Sequence, residues 1–266
     1  MATPRRAALF PRMMPWLGAL ADFLFPPVCL GCDAAIEPAD PSRFVCRPCR
    51  ARLRPLPHPC CPRCGAPCLA TGRTDSLCPE CAHWPPELDA ARSACVMEPP
   101  ADRLVHQLKY RGWPRLAGPL AAFMARTTLP DSLATAAFVV PVPTTRRRLR
   151  ERGYNQAGLL AHEFARLTGR IAIDALLRDR GSSTQTTLQP LARRANVAGA
   201  FRAAQACARL RNADVVLVDD VLTTGATAVA CALVLRGAGI RCVGLITFAR
   251  ALGSRRPTLN SNGDSP

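Results

Sequence analysis

Four C-x-x-C pairs constrain this chain more than any other feature: Cys29/Cys32, Cys46/Cys49, Cys61/Cys64 and Cys78/Cys81. Thirteen residues lie between Cys32 and Cys46, and thirteen between Cys64 and Cys78. A shift of 32 positions places the first set on the second, so the segment is a tandem repeat of one unit. Paired cysteines joined by a short loop suit tetrahedral zinc, each pair forming a knuckle that turns two thiolates inward. A unit this small buries little apolar surface, so bound metal would supply its folding energy. The repeat predicts two structural Zn²⁺ ions, one per set of four thiolates. The spacing leaves the pairing of the knuckles open. Disulfides would need an oxidising compartment, and no export signal is apparent. A thioredoxin-like redox site would need one C-x-x-C opening a helix after a strand, not four pairs among prolines. Cys60 and Cys68 are spare, and Cys60 offers a substitute for Cys61 in a different register. Cys95, Cys207, Cys231 and Cys242 sit in apolar segments and read as packing residues.

The flanks set the domain plan. Arg5 and Arg6 precede an apolar stretch over residues 13–25, but Pro11, Pro15 and Asp22 interrupt it and no small-residue cleavage site follows. It is too short to cross a bilayer. Trp16, Leu17, Leu20, Phe23 and Leu24 fall at helical spacing and predict a short amphipathic helix in a leader over residues 1–27. The chain is expected to be cytoplasmic, with no membrane span. The zinc ribbons occupy residues 28–83. Trp84-Pro85-Pro86 is a rigid connector, residues 88–250 form a second domain, and residues 251–266 form a disordered tail.

Within the second domain, Val215-Val216-Leu217-Val218 runs into Asp219-Asp220, and Thr223, Thr224, Gly225, Ala226 and Thr227 follow. The apolar run is too short for a helix and reads as a buried parallel strand. Residues 226–237 are helix formers with apolar positions at helical spacing. A strand, a polar turn and a helix make the kind of edge where open sheets bind ligands. The turn offers successive backbone N–H groups at a helix N-terminus, and its hydroxyls add donors: an anion site made of dipoles. Gly225 lets the backbone approach a phosphate or take a positive φ. Asp219 and Asp220 would repel a phosphate, and suit ribose hydroxyls or Mg²⁺ instead. The segment lacks G-x-x-x-x-G-K-[ST], and no G-x-G-x-x-G follows a strand, so neither a P-loop nor a dinucleotide fold is supported.

The rest of the domain alternates. Residues 91–97 read as a strand and 102–110 as a helix, with Leu104, Val105 and Leu108 inward and Lys109 near its end. A helix over 116–127 and a strand over 137–143 follow, the strand ending around Pro141 because proline cannot donate to a ladder. Thr144, Thr145 and the arginines 146, 147, 148, 150 and 152 then lead into a helix over 157–167. Arginines packed this closely repel one another unless an anion relieves them, so this basic stretch reads as a second anion site. Residues 171–177 form a strand, residues 178–189 a polar, lid-like loop, and residues 240–248 a last strand. Alternation of this kind predicts an α/β domain with a mainly parallel sheet. Candidate contacts for diphosphate or DNA are Arg146, Arg147, Arg148, Arg152, Arg178 and Gln185.

Charge fits anionic partners. The formal net charge is +16, and Lys109 is the one lysine among 35 basic residues. Aromatic residues are only 5%, which counts against a strand-binding surface built on base stacking.

Several motifs, in order, now carry a resemblance. They are the C-x-x-C pairs after Leu24-Phe25-Pro26-Pro27, then Lys109-Tyr110, Val140-Pro141-Val142-Pro143 and Arg152-Gly153-Tyr154-Asn155-Gln156. The Gln185, Leu188, Arg193, Asn196 segment and Asp219-Asp220 with Thr223-Thr224-Gly225 complete them. From Phe23 to Phe248 the chain closely resembles the ComF family of competence-related phosphoribosyltransferase-like proteins. The resemblance implies a double zinc ribbon joined to a type I phosphoribosyltransferase fold, a parallel sheet flanked by helices. In that fold the acidic pair holds the ribose hydroxyls of phosphoribosyl diphosphate (PRPP), with Mg²⁺, and the Thr/Gly loop holds its 5′-phosphate. Some members act in DNA uptake, which adds single-stranded DNA and competence or helicase proteins as expected partners. Two functions follow as expectations: an enzyme transferring ribose 5-phosphate to an acceptor, or a DNA-binding accessory protein with a regulatory or vestigial PRPP site.

Overall fold

The long apolar runs form one parallel sheet in the computed structural model, which describes residues 26–68, 78–178 and 199–252. The expected N-terminal amphipathic helix, the lid with Gln185, the Leu188 to Asn196 segment and nearly all of the tail lie outside the described residues. The sheet comprises β1 (Ala90–Val96), β2 (Phe138–Pro141), β3 (Ile171–Ala172), β6 (Asp214–Leu222) and β7 (Cys242–Arg250). Their spatial order is β1-β7-β6-β2-β3, and every pairing is parallel. β4 (Leu176–Arg178) and β5 (Phe201–Ala203) form a separate antiparallel pair.

Alternation along β6 divides the core in two, because successive side chains of a strand face opposite sides. Val216 and Val218 pack with Leu104 and Leu108 of α2 (Ala101–Tyr110), Leu120 and Met124 of α3 (Ala117–Met124), and Leu160 and Phe164 of α6 (Gln156–Thr168). Val215 and Leu217 pack on the opposite face with Ala228, Cys231, Ala232 and Leu235 of α7 (Ala226–Gly237). Small helices α1 (Arg47–Arg52) and α4 (Asp131–Ala134) complete the set with α5 (Arg146–Arg152).

The two cysteine repeats add to opposite faces at the β1 edge. Cys29, Cys46, Cys49 and Leu53 join the first core cluster beside Ala90 and Ala94. Cys61, Cys64, Cys81 and Trp84 join the second beside Ala91 and Leu88. Arg250, almost wholly buried at the end of β7, donates to the Cys64 carbonyl at 2.7 Å and pairs with Glu80. No helix among the described residues is long and apolar enough to cross a membrane.

Four expectations need correction. The basic stretch, expected only to lead into the next helix, is itself helix α5, capped by Thr145, whose hydroxyl accepts from the Arg148 amide at 3.2 Å. The helix expected over 116–127 is a 3₁₀ turn, Pro114–Leu116, followed by the shorter α3. The strand expected over 171–177 splits, β3 pairing with β2 and β4 turning away to β5 beyond exposed Asp174. Asp219 and Asp220 lie inside β6 rather than past its end, because β7 keeps pairing as far as Leu222↔Arg250. On the other side β2 stops at Pro141, opposite Val218, so both acids border an open notch.

Candidate ligand-binding site

The notch is the floor of a cleft of about 440 Å³ at the carboxyl edge of the sheet. Asp219, Asp220, Thr223 and Thr227 line it together with Lys109, Arg148, Arg152 and Arg178. Asp220 is 3% exposed. Lys109 Nζ lies 3.0 Å from its Oδ1, while its buried Oδ2 has no hydrogen-bond partner among the described residues. A buried carboxylate oxygen without a donor is costly unless a ligand group or cation completes it. Asp219 Oδ1 accepts from the Asp220 amide at 2.8 Å. Burial, and then the neighbouring Asp220 charge, push the Asp219 carboxyl up to about 8, against the pull of that amide and Lys109. A hydroxyl donor or a divalent ion would relieve the pair, and oxygen donors of this type fit Mg²⁺.

Beyond the acids the chain turns at Gly225, with φ 79°, into α7. The first amides of a helix have no intrahelical acceptor, and Thr223 and Thr227 of this turn line the cleft, so the helix dipole favours an anion there. Thr223 and Thr224 are exposed, Ala226 and Thr227 half-buried, and the Thr224 hydroxyl accepts from the Ala226 amide at 3.4 Å. The turn is braced from outside by Trp84, whose Nε1–H donates to the Thr224 carbonyl at 3.2 Å.

The basic residues are unevenly placed. Arg178 lies over the Phe201 ring at 5.1 Å, and its buried Nε has no partner among the described residues. Burial, and then the Arg148 charge, pull its guanidinium below the ordinary range, as expected for cations crowded around a site without an anion. Arg152 hydrogen-bonds Gln156 Oε1 and sits 5.4 Å over the Tyr110 ring. Tyr154 donates to the Leu108 carbonyl at 2.7 Å, and Asn155 Nδ2 to the Val142 carbonyl at 3.1 Å. The Arg152 to Gln156 segment is therefore a bracket. It ties the end of α2, and with it Lys109, to the strand edge. Arg146 and Arg147 are exposed outside the cleft, Arg147 facing Glu151 at 3.6 Å. Gln185 lies outside the described residues.

The eight paired cysteines gather into two clusters, Cys29/Cys32/Cys46/Cys49 and Cys61/Cys64/Cys78/Cys81, with the sulfurs of each within 4.8 Å of one another. Each cluster thus joins the two knuckles of one repeat. Burial works against the Cys61 thiolate, but the amides of Cys64, Cys78 and Arg63 outweigh it and hold the thiol down at about 6. In the first cluster the Gly31 and Cys46 amides both donate to Cys29 Sγ at 3.3 Å. Four close thiols, one in each cluster stabilised as thiolate by amides, suit structural zinc. Cys60 stands apart from the second cluster, 3.6 Å from His58 Nδ1, so it does not replace Cys61.

Two site residues were under-read from sequence. Lys109 entered as a helix-end charge and within the Lys109-Tyr110 motif, without its role beside Asp220, although a lone lysine among arginines was a usable hint. Trp84 appeared only as a connector, because its partner lies 140 positions away and no local pattern reveals it.

Comparison with known proteins agrees with both halves of the chain. Residues 20–85 match the double zinc ribbon domain family. The DNA utilization protein YhgH of Salmonella typhi is 33% identical over 198 residues, 72% of this chain and 84% of that protein. Competence protein F of Haemophilus influenzae is 26% identical over 230 residues, 84% of this chain and 96% of that protein. Among solved structures, the glutamine PRPP amidotransferase from B. subtilis, complexed with ADP and GMP, overlays 53% of this chain and 30% of its own, at 21% identity and TM-score 0.37.

Proposed function

The chain belongs to the ComF family, and from that premise we propose that its cleft binds PRPP with Mg²⁺ and transfers ribose 5-phosphate to an acceptor. One observation carries the reading: Asp220, whose buried Oδ2 has no hydrogen-bond partner among the described residues, lines a cleft that also holds Asp219, the α7 N-terminal turn and three arginines. The 5′-phosphate would sit on Thr223, Thr224, Gly225, Ala226 and Thr227. Asp219 and Asp220 would accept from the ribose hydroxyls. Arg148, Arg152 and Arg178 would face the diphosphate, which leaves with the electron pair of the C1′–O bond as the acceptor's lone pair bonds to C1′. Mg²⁺ would neutralise the departing charge. The positive charge that develops on the sugar is of the sign that two nearby carboxylates stabilise.

The experiment is diphosphate release from PRPP and Mg²⁺ across a panel of bases and amines. Release that depends on one acceptor and is lost in Asp219→Asn/Asp220→Asn supports transfer. Binding of PRPP without release under any acceptor leaves a regulatory site, and absence of binding sinks the reading.

A second reading has its own observation. Exposed Arg146 and Arg147 lie outside the cleft, and Tyr110, 64% exposed, carries Arg152 over its ring. Basic side chains beside an exposed aromatic suit single-stranded DNA, and the name of one relative, a DNA utilization protein, supports a DNA partner. On this reading the protein works in the cytoplasm as an accessory to DNA handling, alongside competence or helicase proteins, with PRPP as a regulatory ligand.

A further inference from the structure

We propose that Trp84 is a positioning residue through which the second cysteine cluster sets the order of the phosphate loop. This rests on the reading of residues 223–227 as that loop. Trp84 follows Cys81 by three positions, and its amide donates to the Cys81 carbonyl at 3.0 Å. It is buried, and its indole reaches the loop directly, Nε1–H to the Thr224 carbonyl at 3.2 Å. The ring also fills the space beside Gly225: a Cβ built there would lie 2.5 Å from Cζ2 of the indole. The loop conformation and the indole are therefore fitted to each other.

The cluster end of this link is fastened on several sides. Arg63, between two ligand cysteines, donates to the carbonyls of Trp84 at 3.0 Å and Leu88 at 2.9 Å, and its own carbonyl accepts from the Ala91 amide of β1 at 2.8 Å. A second route reaches the same strand end. Arg250 donates to the Cys64 carbonyl and is paired in register with Leu222, the last residue of β6 before the loop. Cys61, Cys64 and Cys81 are fully buried in the core that contains Trp84. A metal ion holding those thiolates together would keep Trp84 seated. Without it the four sulfurs are held only by weak contacts with amides, with Arg250 and with one another, and the segment carrying Trp84 loses its anchor. The zinc ribbon is then part of the ligand site and more than an appended module.

Hydrogen exchange on the full-length, zinc-loaded chain tests this, read at the loop amides, with zinc content and thermal melts as controls. Trp84→Ala is expected to speed loop exchange about tenfold and to weaken ribose 5-phosphate binding about tenfold, the size of one lost hydrogen bond and its packing. Cys78→Ser, which opens the second cluster, gives a similar acceleration, and Cys32→Ser, in the first cluster, gives none. Trp84→Ala combined with Cys78→Ser is no worse at the loop than either change alone, because both act through one link. Should Trp84→Ala not fold, Trp84→Phe keeps a ring against Gly225 and removes only the indole donor, with a smaller acceleration expected at the same amides. Loop exchange unmoved by either Trp84 variant, or effects of Trp84 and Cys78 that multiply, would overturn the coupling. Wild-type protein that fails to bind ribose 5-phosphate would overturn the proposed function, and the exchange data would still decide the coupling.

Discussion

Lys109 Nζ sits 3.0 Å from Asp220 Oδ1, joining the end of α2 to the buried end of β6. The lysine neutralises one oxygen of a carboxylate whose other oxygen has no hydrogen-bond partner among the described residues. Lys109→Met should destabilise the chain by about 1–3 kcal/mol, less than the loss from breaking a fully buried pair because the lysine is partly exposed. Lys109→Met/Asp220→Asn should recover most of that loss in urea denaturation. Additive effects of the two changes would show that the pair is not coupled.

Asp219 should make stability fall with pH. Its folded value, about 8, lies above the ordinary carboxyl value of 3.8. Below 3.8 both states hold the proton, and the contribution is fully present. Between the two values the unfolded chain has lost the proton while the folded one keeps it, so stability drops by up to about 1.4 kcal/mol per pH unit. Above about 8 the loss is complete. The melting temperature of Asp219→Asn relative to wild type should therefore climb from pH 4 to pH 8 and then level off. Mg²⁺ favours the charged carboxylate, so its binding to wild type should tighten with pH over this window. A flat difference between the two proteins would remove Asp219 as a titrating group there.

Much of this was legible in the sequence, and what was not has a common cause. The cysteine repeat, the Val215–Val218 strand and the turn at Gly225 are local patterns of spacing and residue type, and each emerged in place. The strand end was misjudged because β6 is extended by its long neighbour β7, a tertiary effect that overrides the polarity of two adjacent aspartates. The helix over the arginine stretch was not legible because crowded like charges oppose its helical propensity. In the structure α5 buries none of its residues, so those charges stay in solvent or line the cleft. Lys109, Trp84 and Arg250 act through partners 111, 140 and 186 positions away, beyond the reach of any window along the chain.

Purified under reducing conditions, the protein should carry two zinc ions per chain, one for each cysteine cluster. Cys60→Ser should leave that number unchanged, because Cys60 lies outside both clusters, whereas Cys61→Ser should lower it by about one. Elemental analysis that finds one ion in wild type with free thiols intact would refute the two-site arrangement.

The arginines should divide by position. Arg148→Ala and Arg178→Ala should each weaken binding of inorganic diphosphate by roughly tenfold, the typical loss for one charge-assisted contact. Arg146→Ala and Arg147→Ala should leave it unchanged, since both lie outside the cleft, yet flatten the salt dependence of any single-stranded DNA binding. Calorimetry and salt-titrated DNA binding on the same four variants would separate the two surfaces. Equal effects of all four on diphosphate would mean that the cleft is not the anion site.

Gly225 is the most demanding position in the site, for two reasons that can be taken apart. Its φ of 79° lies where side-chain-bearing residues are strained by about 1–2 kcal/mol. Its missing Cβ leaves room for the Trp84 ring, which would otherwise stand 2.5 Å away, far inside contact distance. Gly225→Ala carries both penalties, so it should lower the melting temperature and weaken PRPP binding together. Gly225→Val should be worse, because a β-branched side chain adds bulk where the indole already lies and resists the left-handed conformation. In a Trp84→Ala background the steric part disappears while the backbone strain remains. Gly225→Ala should therefore cost less stability there than in wild type, by about 1 kcal/mol or more, the scale of relieving an overpacked contact. The same double variant should still bind PRPP poorly, because the indole that holds the loop is gone. Identical costs of Gly225→Ala in both backgrounds would show that the ring does not press on the turn, and that the glycine is there for its φ alone.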